Sequence, residues 1–508
     1  MPLAVGALLA ALPIVAVLVG MLALRWSAAR AAGVGLALAL PLAWFAFGFG
    51  TRVLEALGPV RATGGAVLEA AIIAATILWI ILPALCIHEL QQRTGALEVL
   101  RGAMERLSGD PRITALLVAW FFVLFVEGAA GFGTSVALAA PFLVAAGFGR
   151  VEAVTIALVG HSVGVSFGAV GTPILPQMAV TPYSGLELAS ATAAYHSWVG
   201  WVMPLVAMVL VTRTLPAEQR SGAGIWGWTL LAAALFLVPH QLIATFIGPE
   251  LPTLGGSLAG GLAFVGALRL APRGEGGTAG PGGASLLRAG APYLALVTLV
   301  LATRLPPGVR EALSGLTWTW RAGPFEAGFA PLYHPGTMLA AGFLIGALVQ
   351  RAAAGEIAGA VRLALRQLVP VTLALVAMLA ISRVMVYAGM IDALAAAAAI
   401  AAGAAWPFFA PFVGMLGTFV TGSATASNIL FTDFQQATAQ RLEAPVLPLL
   451  GAQGFGAAVG NIVCPHNVIA AGATVRLAGR EGEVLRRTAP VAVLYALLGG
   501  ALALLAFA

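Results

Sequence analysis

Runs of apolar residues long enough to cross a bilayer recur along this chain from end to end, and they leave a helical membrane protein as the fold class open to it. A helix needs about 20 such residues to span the hydrocarbon core. Candidate spans fall at 3–24, 31–50, 65–87, 113–126, 132–148, 151–171, 195–212, 225–247, 253–270, 290–303, 336–350, 367–390, 393–423, 446–463 and 489–507. Some fall short of a full crossing and one is long enough for a broken pair, so about 12–14 true spans are expected. The polar connectors at 88–112, 213–222, 271–289, 304–335, 351–366 and 476–488 are too short for soluble domains. The largest, 304–335, holds Trp318, Trp320 and Tyr333 and reads as an interfacial cap.

Composition narrows the function classes. Of 508 residues, 60% are hydrophobic and only 9% are charged, against roughly 25% charged in a soluble chain. Too few polar side chains are present to cover a water-soluble body, which excludes a cytoplasmic enzyme and a disordered chain. The net charge of +6 comes from arginines scattered among short loops, the pattern of membrane flanks rather than of a nucleic-acid face. Cys86 and Cys464 lie in apolar surroundings and give neither a disulfide framework nor zinc spacing. The first 24 residues lack a basic leader and a clear cleavage site, and read as a retained span.

An internal repeat points to the site. Val126-Glu127-Gly128-Ala129-Ala130-Gly131-Phe132-Gly133-Thr134-Ser135 is followed by Gly164-Val165-Ser166-Phe167-Gly168-Ala169-Val170-Gly171-Thr172-Pro173. In the second half, Thr421-Gly422-Ser423-Ala424-Thr425-Ala426-Ser427-Asn428 is followed by Gly454-Phe455-Gly456-Ala457-Ala458-Val459-Gly460-Asn461, ending near Pro465. Gly128 and Pro173 are 45 positions apart, and Gly422 and Pro465 are 43 apart. Paired small-residue polar breaks at matching spacing are expected where transmembrane helices are interrupted around a substrate. Glycine and small hydroxyl residues let the chain unwind inside protein or around a water-filled cavity. The half-helix N-termini then offer free N–H groups and positive dipole ends to an anion. Close helix packing by glycine is the plain alternative, but it does not require paired breaks.

At these residues the chain resembles the lactate permease family of bacterial secondary transporters. The likeness is carried by EGAAGFGTSVALAAPFLVAAGF at 127–148, FGAVGTPIL at 167–175, FIGPELP at 246–252, FVTGSATASNILF at 419–431 and GNIVCPHNVIAAGATVRLAGREGEV at 460–484. It spans nearly the whole chain. The resemblance implies proton-coupled uptake of L-lactate, D-lactate or glycolate across the cytoplasmic membrane. Similarity to the wider group of ion-coupled organic anion carriers implies inverted repeats, a moving substrate-binding unit and room for a homodimer. Two positions depart from the pattern. Ala424 stands where many members carry an Asp after Thr-Gly-Ser, and Cys464-Pro465-His466 replaces Ser-Pro-Gln. A related small carboxylate therefore stays open as substrate.

Ionisable groups within spans are functional candidates by default. Glu127, at the mouth of the first break, is a proton carrier or a cap for the unwound backbone. His161, in LVGHSVGVSF, and His466, beside Pro465, are further proton-coupling candidates. His88, His196, His240 and His334 lie nearer span ends or loops and read as structural. Arg383, deep in an apolar run, could grip a carboxylate bidentately or pair with Asp392, Asp433 or Glu127, and Tyr387 stands one helical turn on. Gly131, Gly133, Thr134, Ser135, Thr172, Thr421, Ser423, Thr425, Ser427, Asn428 and Asn461 complete the substrate-binding set, as groups able to approach or hydrogen-bond a small hydroxy acid. No cofactor and no metal site is expected.

Gly160-His161-Ser162-Val163-Gly164 and Gly164-Val165-Ser166-Phe167-Gly168 both fit a hydrolase nucleophile motif, but that motif needs a strand–turn–helix and this segment reads as a span. His88-Glu89-Leu90-Gln91-Gln92 lacks the second His of a zinc protease. The reading is therefore an all-α polytopic transporter with two related halves, 1–250 and 251–508, whose partners are a small monocarboxylate, a proton and the lipid bilayer. Sodium coupling through unwound carbonyls near Gly128 or Gly422, a cation/proton antiporter, and an intramembrane enzyme using Ser162 or Ser166 stay open as alternatives.

Overall fold

The computed structural model describes all residues except 25, 106–107, 109, 132, 216–222, 271–282, 478–479 and 508. Phe132 of the first break and most of the connectors 213–222 and 271–289 thus lie outside the described residues. Among the described residues, twelve helices are long and apolar enough to cross a membrane, and the bent pair Gly185–Val199 and Val202–Thr214, angled by 44°, adds a thirteenth if it forms one span. The expected span count is met. The stretch 393–423 is indeed a pair, Met390–Ala402 and Trp406–Thr421, separated by a 3-10 turn at Gly403–Ala405. Large apolar side chains such as Leu8, Phe45, Leu262 and Ile400 point outward, as a lipid-facing surface requires.

Two long helices organise the bundle. Gly58–Arg93 and Ala354–Tyr387 have 36 and 34 residues, about 50 Å each, well beyond the roughly 30 Å hydrocarbon core. The stretch 351–366 was expected to be a connector, but nearly all of it is the first part of the second long helix. Arg362 and Arg366 are exposed and Glu356 is half-buried; these charges end the apolar run without ending the helix. The two helices pack antiparallel. Glu69, near the start of the first, meets Tyr387 at the end of the second, while Glu89, near the end of the first, accepts from Gln367 Nε2 at 2.9 Å.

Each long helix introduces the same order of elements. After Gly58–Arg93 come the broken pair Val123–Ala129 and Thr134–Ala145, then Arg150–His161 and its irregular continuation to Val180. After Ala354–Tyr387 come Trp406–Thr421 broken from Ala424–Arg441, then Val446–Gly460 broken from Pro465–Thr474. Because the leading helices of the two series run in opposite directions, the repeat has the inverted form.

The connector 304–335 forms a short helix, Pro307–Gly315, and an antiparallel hairpin of Trp318–Ala322 with Phe325–Phe329. This is the one departure from helix among the described regular elements. The hairpin caps the long helices: the buried Phe325 ring stacks edge-on against Tyr387 with centroids 4.8 Å apart and leaves room only for glycine at position 65.

The helix Arg150–His161 packs against a π-helical turn at Leu117–Phe122, where a Cβ at Gly160 would run into the Ala119 carbonyl. Gly160→Ala is expected to cost about 1–3 kcal/mol through overpacking against backbone that cannot yield. Thermal unfolding of the purified protein in detergent reads this; an unshifted midpoint would show that the contact relaxes freely.

Candidate functional site

Four breaks interrupt the spans, two in each half. At the first, helix Val123–Ala129 stops, Gly131 and Gly133 take φ of +59° and +77°, and helix Thr134–Ala145 begins. These left-handed values are open to glycine at little cost. At the second, a 3-10 turn at Ser162–Phe167 gives way to positive φ at Ala169, Val170 and Gly171. Left-handed conformations at Ala169 and Val170 are strained for side chains with a Cβ, and such strain collects at functional sites. At the third, Gly422 at φ +76° ends Trp406–Thr421, and the Ser423 hydroxyl caps the next helix by accepting from the Ala426 amide. At the fourth, Asn461–Cys464 turn the chain between Val446–Gly460 and Pro465–Thr474.

The breaks come together. A Cβ on Gly131 would lie 3.0 Å from Ala169, so the first break rests on the second. A Cβ on Gly133 would lie 2.5 Å from Asn467 Oδ1, and one on Gly422 would lie 3.3 Å from His466 Cβ, so the first and third both meet the start of Pro465–Thr474. Asn428 Nδ2 donates to the Pro173 carbonyl at 2.8 Å, and Val165 packs with Ala424, Ala457 and Ala458. The N-termini of Thr134–Ala145, Ala424–Arg441 and Pro465–Thr474 therefore lie close together and gather three positive dipole ends.

The polar side chains divide into those already satisfied and those still open. Ser135 donates to Glu127 Oε2 at 2.6 Å, which leaves Glu127 buried in the first break beside Gly168. Thr172 donates to the Ala169 carbonyl, and Thr421 to that of Gly417. Ser427 and Asn428 join a buried amide chain through Gln453 and Gln435 that ends on the Trp406 indole. Thr134 and Ser423 are half-buried at the mouth, Thr425 is buried one turn in, and His466 is exposed beside Gly422. Asn467 donates to Asn461 Oδ1 at 2.7 Å; Asn461 Nδ2 and Asn467 Oδ1 are buried without partners. Asn467 was not foreseen from sequence, although it lies two positions after the proline of the fourth break.

His161 donates from Nδ1 to the Leu158 carbonyl at 2.7 Å, and its Nε2 is buried without a partner. His88, His196 and His240 are buried, each within the last two turns of its helix. His196 bridges Tyr495 and Ser166, both at 2.8 Å, and Ser166 also donates to the Gly454 carbonyl. The hydrolase motifs sit at the end of helix Arg150–His161 and in the 3-10 turn Ser162–Phe167, with no strand leading in, so they lack the strand–turn–helix they require.

Arg383 and Tyr387 are drawn elsewhere. The Arg383 guanidinium pairs with Asp433 and reaches Glu69 at 3.9 Å, and the Tyr387 hydroxyl bonds Glu69 at 2.7 Å. Asp433 stands ten residues beyond Ser423, about 15 Å along its helix from the third break. Glu69 was not singled out, although a carboxylate within an apolar run is the signal that would have found it.

A bundle of this size, with spans broken in an inverted repeat around a buried, dipole-lined centre, defines a multi-pass cell-membrane transporter rather than an enzyme. The chain matches the L-lactate permease family over residues 6–320 and 320–508, and belongs to it. Among curated relatives, it is 31% identical to an L-lactate permease of Streptococcus iniae, over 72% of this chain and 78% of the relative. It is 29% identical to the L-lactate permease of Escherichia coli K12, over 84% and 83%. The glycolate permease GlcA of the same strain is 28% identical, over 84% of each chain. Two solved structures share the fold: Neisseria gonorrhoeae MtrF (TM-score 0.52, 13% identity, 94% of this chain and 95% of that one) and the Alcanivorax borkumensis YdaH transporter (0.51, 14%, 94% and 98%).

Proposed function

We propose that this protein takes up L-lactate, or a close 2-hydroxy acid such as D-lactate or glycolate, together with a proton. The substrate carboxylate docks where the three helix N-termini converge. That convergence, with the unpartnered Asn461 amide beside it, is the observation that carries the reading: three helix N-termini brought together beside an unused buried donor suit a small anion. Gly131 and Gly133 give the substrate access to backbone, and Thr134, Ser423 and Thr425 lie within the same mouth. Ser135, Thr172, Thr421, Ser427 and Asn428 hold the breaks in shape. Glu127, His161 and His466 are the protonatable groups at or beside the breaks. The halves 1–250 and 251–508 enclose the site between them. The lactate and glycolate permeases among the relatives support the substrate class.

Uptake of labelled L-lactate into proteoliposomes tests this. Accumulation driven by an inward proton gradient and unchanged by sodium is expected; accumulation that requires sodium would overturn proton coupling. Asn461→Ala removes the orphan donor and is expected to raise the apparent KM about fivefold to a hundredfold, the effect of losing a hydrogen bond to a charged group at about 1–3 kcal/mol. An unchanged KM would remove Asn461 from the site.

A further inference from the structure

We propose that the coupling proton is held away from the breaks, on Glu69 beside the Arg383–Asp433 pair, in a site that ties the two long helices to the broken helix Ala424–Arg441. The proposal rests on the transport reading above. Three observations lead to it.

The first is a charge count. Two carboxylates, Glu69 and Asp433, flank one guanidinium, and the side chains of all three are at most 10% exposed. With every group ionised the cluster carries one excess negative charge buried in protein, which is costly; one proton removes it. Among the described residues, no other ion pair reaches the cluster. Arg30, Arg61 and Asp392 on neighbouring helices are exposed, and Arg321 and Glu326 of the hairpin are exposed and pair with each other. The helices Trp406–Thr421 and Val446–Gly460 carry no titratable residue.

The second is a hydrogen count. The Tyr387 hydroxyl has one hydrogen and lies within reach of two acceptors, Glu69 Oε2 at 2.7 Å and the Pro324 carbonyl at 3.2 Å. Two full bonds form together when Glu69 is protonated and donates to Tyr387, which then donates to Pro324; an ionised Glu69 leaves one hydrogen to be shared between the two acceptors. The third is that Arg383 Nε is buried without a partner. The guanidinium is thus incompletely anchored and has a second carboxylate to move toward.

The step balances simply. A proton arriving from the hairpin side, where Pro324 is exposed, passes by Tyr387 to the Glu69 carboxylate, and the Arg383–Asp433 pair stays intact. When Glu69 loses that proton, its charge draws Arg383 away from Asp433. The link to Ala424–Arg441, the helix whose N-terminus forms the third break, is then loosened. Proton occupancy is read out as the position of a substrate-binding helix.

The test compares wild type, Glu69→Gln and Asp433→Asn as full chains in proteoliposomes. Exchange of labelled for unlabelled L-lactate at equal concentrations is expected to persist in the variants within about twofold. Accumulation under an imposed pH gradient is expected to fall on the order of tenfold or more, the scale of a lost coupling free energy. Normal gradient-driven accumulation in both variants would overturn the proposal while leaving the transport reading intact. A wild type driven by sodium alone would overturn both. Loss of exchange and accumulation alike in folded Glu69→Gln protein would assign Glu69 to substrate binding, and so also overturn the proposal. If the charge variants do not fold, Tyr387→Phe, which keeps every charge, carries the test. The pH midpoint of exchange is expected to move by about one unit, and an unmoved midpoint contradicts the proposal.

Discussion

Replacing Gly133 by alanine is expected to reduce lactate transport about tenfold or more, with the protein still inserted and folded. Two costs combine. At φ +77° an L side chain pays roughly 1–2 kcal/mol for the left-handed conformation. The new Cβ would also lie 2.5 Å from Asn467 Oδ1, turning that buried carboxamide away from the Asn461 bond it makes at the mouth of the site. Each 1.4 kcal/mol lost from the productive arrangement is a factor of ten in rate. Gly389→Ala is the matched control. It has φ of +74° and nothing within 4 Å of the added carbon, so it carries the backbone cost alone. Equal losses in the two variants would mean that the contact with Asn467 is irrelevant to transport.

The second large effect concerns a second buried ion pair, which shares no residue with the Glu69–Arg383–Asp433 cluster. Arg304 Nη2 contacts Glu250 Oε1 at 2.7 Å with both side chains almost fully buried, and also donates to the Tyr333 carbonyl. Its guanidinium lies 3.4 Å over the Tyr333 ring. This pair anchors the segment 246–252, whose Pro249 carbonyl abuts Gly171 of the second break. Arg304→Met is expected to destabilise the protein by about 3–5 kcal/mol, because it strands a buried carboxylate. Adding Glu250→Gln to Arg304→Met is expected to restore most of that loss, since the penalty lies in the unpaired charge rather than in the missing attraction. Thermal unfolding in detergent measures both. A single variant as stable as wild type, or a double variant no better than the single, would contradict this account of the anchor.

Much of the architecture was legible in the sequence because bilayer crossing imposes a length on apolar runs and a break announces itself in small residues. Gly131, Gly133, Gly422 and Ser423 could be placed at interruptions for that reason, and the matching spacing told that they belong to a repeat. Two kinds of feature were hidden. Arg362 and Arg366 made 351–366 look like a loop, because a helix that outruns the bilayer loses its apolar signature but not its hydrogen bonds. Side-chain commitments between distant positions were equally invisible. That Ser427 and Asn428 would be taken up by Gln453 follows from the packing of Ala424–Arg441 on Val446–Gly460, and that Arg383 would find Glu69 more than three hundred residues away follows from antiparallel packing of the long helices. The departures from the family pattern also gain a setting: Ala424 fills an apolar contact with Val165, Ala457 and Ala458, and His466 borders the mouth at Gly422.

Substrate protection of thiols introduced at the two half-buried lips of the cradle addresses the central claim directly. In a Cys86→Ala, Cys464→Ala background, Thr134→Cys and Ser423→Cys place one thiol on each half, and the exposed Ser184→Cys serves as control. L-lactate is expected to slow alkylation at positions 134 and 423 together and to leave 184 unchanged. If neither 134 nor 423 is protected in protein that still carries lactate, the substrate binds elsewhere and the convergence of the breaks is not its site.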